Sequence, residues 1–351
     1  MIVSIILFFI IFSIIVIGHE FGHYCIARRN GIRVNEFDIG FGPTLLQWRR
    51  GETDFCVKML PLGGACIFDG ASGLDDTEHE LDEHSFPNAS VSSRIATVLA
   101  GPVANFIIGF VFALFIVAFS GTDLPVVADI MDGGAAQEAG IQAGDTIRKI
   151  NGESIHLYRE VQLFSLVNYG EPLDIVYERN GERHEVTLTP KFDEEAGRYY
   201  IGIIGSGEYM RCNAPEVFQY GFYEAQYWVR ATLKSLGLIF RGHFRMDDLS
   251  GPVGVVKVVD DTYTSAKPYG LPAVVLSMLN LATLLSINLG IMNLLPIPAL
   301  DGGRLLIYIV EAIRGRKLSA EKEGYITLAG ALALIALMAV VMFNDFTKFF
   351  R

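Results

Sequence analysis

The sequence predicts a polytopic α-helical membrane protein. It should have about four transmembrane helices, a membrane-associated β-hairpin, and one extracytoplasmic α+β domain inserted between the second and third helices. Three observations predict this. Hydrophobic residues make up 51% of the 351, which is high for a soluble chain. Four stretches are apolar for long enough to cross a hydrocarbon core of about 30 Å at about 1.5 Å per residue. Between the second and third, the pattern changes to short apolar runs separated by glycine-bearing turns.

The first stretch, 2–27, carries no charge before the motif HEFGH. A secretory signal would begin with Lys or Arg and end at a small-residue cleavage site. This stretch has neither, so it reads as a retained span. The other spans are expected over 95–119, 271–301 and 325–343. Arg28, Arg29 and Arg33 follow the first span, and Arg314, Arg316 and Lys317 lie between the third and fourth. Basic residues at short connections mark the cytoplasmic side. Both termini and the stretch 120–270 are then expected outside the cytoplasm. The net charge is −11 and no basic stripe stands out, which argues against a nucleic-acid partner. The four cysteines, Cys25, Cys56, Cys66 and Cys212, show no metal-ribbon spacing. Cys56 and Cys66 could face each other on neighbouring strands, but the reading takes all four as free or buried thiols.

Four segments follow: 1–119 with two spans and a cytoplasmic-side β element, an inserted domain over 120–205, an amphipathic connection over 206–270, and the last two spans over 271–351. Within the first, 53–68 (TDFCVKMLPLGGACIF) reads as two short strands around Pro61, Gly63 and Gly64. In the inserted domain, Gly140 and Gly144 suit turns needing positive φ. The strands of 171–189 are joined by Asn180-Gly181, a hairpin signal. This domain resembles a PDZ domain, a fold that takes extended peptides along a sheet edge. Residues 214–241 read as an aromatic-rich amphipathic helix lying against membrane lipid, because Glu216, Glu224, Arg230 and Lys234 interrupt its apolar stretches.

HEFGH carries the chemistry. His19 and His23 are four residues apart, so they leave a helix on one face. Two imidazoles at that spacing can share one zinc, with Glu20 placed to take a proton from water at the metal. The bland alternative is a chance match in a core helix. It is weakened here because ionisable groups inside an apolar span are costly and mark functional interiors. A catalytic zinc takes a third protein ligand. One source is the acidic loop with Glu78, His79, Glu83 and His84. The other is Asp301, in NLLPIPALDGG after Pro296 and Pro298. The first and third spans run the same way, which brings HEFGH and Asp301 to the same side and favours Asp301 over the loop.

HEFGH in the first span, NLLPIPALDGG in the third and a PDZ-like insertion together resemble the site-2 protease family of intramembrane zinc metalloproteases. The nearest branch is that of the bacterial regulator of sigma-E protease. FDIGFGP at 37–43, PLGGACIF at 61–68, AGPVANF at 100–106 and SGPVGVV at 250–256 extend the likeness over nearly the whole chain. The resemblance implies Zn2+ on His19, His23 and Asp301, Glu20 as general base, and a multi-pass location in a bacterial cell membrane. It implies that Asn293 engages substrate. Asn288 joins it as a candidate, against a plainer role in helix–helix contact. The stretch with Gly63 and Gly64 resembles the family's β element, thought to receive the substrate as an extended strand. Expected partners are single-span membrane proteins, such as anti-sigma factors or signal-peptide remnants, and a peptide ligand for the PDZ-like domain. The chain departs from the family in two ways: only one PDZ-like domain is visible, and PLGGACIF stands where PLGGYVKM is common.

Two other functions compete with regulated intramembrane proteolysis. One is a membrane-anchored PDZ receptor or scaffold with a structural or vestigial zinc site, against which the intact HExxH and LDG set argues. The other is a transporter built on the broken third span, which lacks a matching broken helix elsewhere.

Overall fold

Helix α1 (Ile2–Arg29) shows how the membrane-type part of the chain is built. Phe8, Ile11, Ile15, His19, His23 and Ala27 are buried along one face, while Ile6, Ile10, Ile14 and Phe21 are exposed on the other. The HEFGH histidines therefore continue the buried stripe of an otherwise uniformly apolar helix. The computed structural model describes residues 2–70, 82–194, 197–242 and 251–349. The chain divides into two compact units, Met1–Phe112 with Arg245–Arg351, and Ala113–Phe244.

In the first unit, α1 is joined by α2 (Val91–Ser120), α7 (Leu271–Asn293) and α9 (Ala320–Phe349). These are the four helices, among the described residues, long and apolar enough to cross a membrane. Strands β1 (Val34–Arg50) and β2 (Thr53–Phe68) form a sheet beside α1. The sheet is larger than two short strands over 53–68. Glu36 to Ile39 has partners on both sides, Ile67 to Gly64 and Asp54 to Val57, and Leu46 to Arg50 pairs with Val57 to Thr53. The bends that allow this lie at Gly40 and Gly42, with φ of 93° and 94°. Helix α6 (Pro252–Ala266) was not foreseen as an element. Its Val259 packs with Phe8, Ile11 and Ile15 of α1 and Met278 and Leu281 of α7.

The third span also ends earlier than 301. Helix α7 stops at Asn293, and α8 (Asp301–Arg314) is a separate helix. Pro296 and Pro298 cannot continue a helix between them. Glycines let the irregular link pack tightly: a Cβ at Gly302 would lie 2.2 Å from the Leu295 carbonyl oxygen, and one at Gly303 would lie 2.4 Å from that of Ile297. Gly330 of α9 makes room for the Pro298 carbonyl in the same way. Helix α8 is fastened to α2 by the buried pair Arg94–Glu311 at 2.7 Å, with the Arg94 guanidinium over the Tyr308 ring.

The second unit holds β3 (Val127–Ile130), α3 (Ala135–Glu138), β4 (Thr146–Ile150), β5 (Glu153–Ser154), α4 (Tyr158–Val167), β6 (Leu173–Arg179), β7 (Glu182–Leu188), β8 (Lys191–Asp193), β9 (Arg198–Tyr200), β10 (Ile203–Gly205) and α5 (Ala214–Phe240). A four-stranded sheet runs in the order β5-β4-β6-β7, and β10 pairs with β3. Leu173, Ile175 and Tyr177 alternate inward along β6, meeting Ile147 and Ile150 of β4 and Val161 and Phe164 of α4. The β6–β7 hairpin turns through Asn180 and Gly181, both at positive φ. Asn213 and Glu216 cap the start of α5 reciprocally.

Candidate metal centre

Two elements bring the ionisable groups together. His19 and His23 come from the buried face of α1, and Asp301 from the first turn of α8. His19 Nε2 lies 3.2 Å from His23 Nε2 and 3.1 Å from Asp301 Oδ2, and His23 Nε2 lies 3.3 Å from that oxygen. Both histidines are buried. Three ligands of a tetrahedral zinc, with bonds of about 2.0–2.1 Å, stand about 3.3 Å apart. The triangle matches that spacing.

The proton positions support a cation there. His23 Nδ1 lies 2.8 Å from the Thr97 carbonyl oxygen. A carbonyl only accepts, so Nδ1 carries the proton and Nε2 of the neutral ring offers a lone pair. Asp301 Oδ2 is buried without a hydrogen-bond donor. Buried acceptors facing one another repel unless a cation lies between them. The donor set of two imidazoles and one carboxylate suits a catalytic zinc.

Helix α2 makes the close approach possible. A Cβ at Gly22 would lie 2.4 Å from the Ala100 carbonyl oxygen, and one at Gly101 would lie 2.3 Å from His23 Nε2. Thr97, Gly101 and Asn105 are four residues apart and form one face of α2 against the two rings. Asn105 Nδ2 lies 3.1 Å from His19 Nδ1. In sequence, AGPVANF stands out by its family likeness alone. An amide in line with a glycine and a threonine inside an apolar span was the available signal.

Glu20 is half-buried beside the cluster, and the Cys66 backbone N–H points to its carboxylate. Gly64 of β2 packs directly on it: a Cβ there would meet the Glu20 side chain at 3.3 Å. Gly63 has φ of 81° and leaves no room for a Cβ beside the Phe41 ring. Asn293, at the end of α7, places its amide nitrogen 3.4 Å from His19 Nε2. Asn288 is half-buried five residues earlier on α7. His84 Nδ1 lies 3.0 Å from the Gly31 carbonyl oxygen and Glu83 is exposed, so neither joins the cluster. Glu78 and His79 lie outside the described residues. A second acidic group, Glu36, Asp38 and Cys56, holds the Lys58 ammonium, which contacts Asp38 and lies 3.3 Å from Glu36. All four cysteines are free.

A His–His–Asp cluster with a glutamate beside it, in a unit with four helices long and apolar enough to cross a membrane, defines the class: a zinc metalloprotease. The chain belongs to peptidase family M50, the site-2 proteases, whose family model matches residues 7–337. It is 32% identical to the zinc metalloprotease RasP of Geobacillus kaustophilus, over 99% of this chain and 98% of that one. A putative zinc metalloprotease of Clostridium acetobutylicum is 33% identical over 97% of each chain. The regulator of sigma-W protease RasP of Bacillus subtilis is 29% identical over 99% of each. Among solved structures, the PDZ domain of an SdrC-like protein from Listeria monocytogenes covers 25% of this chain and 90% of its own, at 20% identity and a TM-score of 0.21. A score that low carries no argument about the inserted domain.

Proposed function

We propose that this chain is an intramembrane endopeptidase that cuts single-span membrane proteins, with zinc held by His19, His23 and Asp301 and with Glu20 as general base. The triangle of acceptor atoms at 3.1 to 3.3 Å carries this reading. Zinc, when bound, supplies Lewis acidity to the attacking water and the scissile carbonyl. Glu20 takes the proton of that water and returns it to the leaving amine. Asn293 hydrogen-bonds the unwound substrate backbone beside the cluster. The stretch around Gly63 and Gly64 receives that backbone as an added strand next to Glu20, which the close packing of Gly64 on Glu20 supports.

The basic residues at the ends of α1 and α8 support a centre that lies toward the cytoplasmic side of a bacterial cell membrane. The termini and the second unit then lie outside the cytoplasm. That unit is a PDZ-like domain offering a peptide site. Helix α5 lies on the lipid surface, since it exposes Phe218, Phe222 and Leu233 along its length. The Bacillus subtilis relative is named as a regulator of sigma-W, and anti-sigma factors or signal-peptide remnants are the substrate classes proposed here.

Co-expression of wild type, Glu20→Gln and His19→Ala with tagged single-span proteins tests the scheme. Glu20→Gln is expected to keep its zinc and its membrane insertion while cleavage falls by about 10²- to 10⁴-fold, the scale of general acid–base catalysis. His19→Ala is expected to lose both metal and cleavage. Full cleavage by zinc-loaded Glu20→Gln would remove the glutamate from the mechanism.

A further inference from the structure

We propose that Asn105 is a positioning residue that fixes the metal-binding tautomer of His19. The inference rests on the ligand set proposed above. Asn105 is wholly buried and held rigidly. Its backbone carbonyl accepts from Ser286 Oγ at 2.8 Å, and α7 closes on its Cβ at Gly290, where an added Cβ would lie 3.4 Å away. Its amide can therefore turn about its own axis but cannot leave His19.

The two ligand rings are supported by the same helix face in different ways. His23 gives its Nδ1–H to the Thr97 carbonyl, a backbone acceptor that no side-chain change removes. His19 Nδ1 instead faces the Asn105 amide at 3.1 Å. A ring that offers Nε2 to zinc carries its proton on Nδ1, so it needs an acceptor there. The amide nitrogen is a donor and cannot serve. The amide oxygen can, and it is buried without a partner. The two ends of an amide have nearly the same shape, so their assignment follows from the hydrogen bonds around them. Pointing Nδ2 at the ring leaves Oδ1 unpartnered, and the His19 proton decides between the two orientations. With Nδ2 toward the ring, the proton moves to Nε2, where it points at Asp301 Oδ2, 3.1 Å away, and excludes the metal. With Oδ1 toward the ring, Nε2 is free to bind zinc. Asn105 thus sets how readily His19 becomes a ligand, without touching metal or substrate.

The test is zinc affinity of the purified full chain, read by chelator competition, with the absorption spectrum of the cobalt(II)-substituted protein as a second readout. Asn105→Leu keeps the shape and removes the acceptor. It is expected to weaken zinc binding about 10- to 100-fold, the usual effect of losing an outer hydrogen bond to a ligand. Asn105→Asp supplies only acceptors and is expected to bind zinc as tightly as wild type or tighter, with the wild-type cobalt spectrum. A merely structural asparagine predicts the reverse order, because an aspartate buries a charge. Wild-type affinity in Asn105→Leu, or weaker binding in Asn105→Asp, overturns the proposal. Should the leucine variant fail to fold, the aspartate variant decides alone by the same criterion. His19→Ala separates the two layers. Zinc retained in that variant removes the ligand assignment itself. Zinc lost there but kept at wild-type affinity in Asn105→Leu leaves the ligands standing and removes Asn105.

Discussion

The two compact units both bury charged side chains, and they balance them differently. In the second unit, Asp145 accepts two hydrogen bonds at 2.7 Å from the Arg179 guanidinium. Glu160 takes Arg230 at 2.8 Å together with the backbone N–H groups of His156 and Leu157. Glu224 takes Arg159 at 2.6 Å. Arg94 and Glu311 follow the same rule in the first unit. The cluster of His19, His23 and Asp301 does not, because two imidazoles and a carboxylate face one another through atoms that can each bind a cation. Paired charges fasten elements together. An unbalanced set costs stability and persists for what it binds.

The sharpest way to break this contrast is to remove a carboxylate from the unbalanced set. Asp301→Asn is expected to abolish zinc binding and lower cleavage about 10³-fold or more. Lewis-acid catalysis supplies several kcal/mol, and about 1.4 kcal/mol is a factor of ten. Compared without zinc, the variant should melt no lower than wild type, because the amide brings a donor to a group of acceptors. A much lower zinc-free melting temperature would mean that Asp301 holds the fold as the paired carboxylates do.

Arg94→Met tests the balanced kind. It leaves Glu311 buried without its cation, with the Leu318 N–H still donating to that carboxylate. The expected cost is about 3–5 kcal/mol, read as loss of thermal stability in detergent. Adding Glu311→Leu should recover most of it, since an apolar pair of similar volume replaces a buried ion pair at little loss. A double variant as unstable as the single one would show that local packing, rather than charge balance, fastens α8 to α2.

The same contrast explains what could be read from sequence. Paired helix and turn signals are local: the apolar runs, the four-residue spacing of His19 and His23, the breaks at Pro296 and Pro298, and the Asn180-Gly181 turn all act within a few residues. Structure agrees with them closely. What escaped depends on contacts distant in sequence. Residues 34–50 hold Gly40, Gly42 and Pro43, residue types that disfavour a strand, and become one because 53–68 lies on both sides of its first half. Thr97 and Asn105 act on rings 74 and 86 residues away. Helix α6 is fixed from the far end of the chain, where Asp345 accepts from the Gly254 N–H at 2.9 Å. The start of α8 at Asp301 shows only once Gly302 and Gly303 are seen to admit the backbone of 294–298.

The smallest expected effect lies in the second unit and depends on pH. Burial pushes the Asp145 carboxyl up, but the Arg179 guanidinium and the Gln142 N–H outweigh it and hold the group below its ordinary range. A carboxyl whose folded pKa is depressed stabilises the fold fully above its unfolded value, about 3.9, and loses that contribution as pH falls through the folded value. Hydrogen exchange of the β4 and β6 amides in the full chain should therefore show more protection in wild type than in Asp145→Asn at pH 7. The difference should shrink steadily below about pH 4. Arg179 is partly exposed, so added salt should reduce the difference as well. A gap that is unchanged down to about pH 2 would mean that shape, and not the charge on Asp145, closes the turn at Gln142.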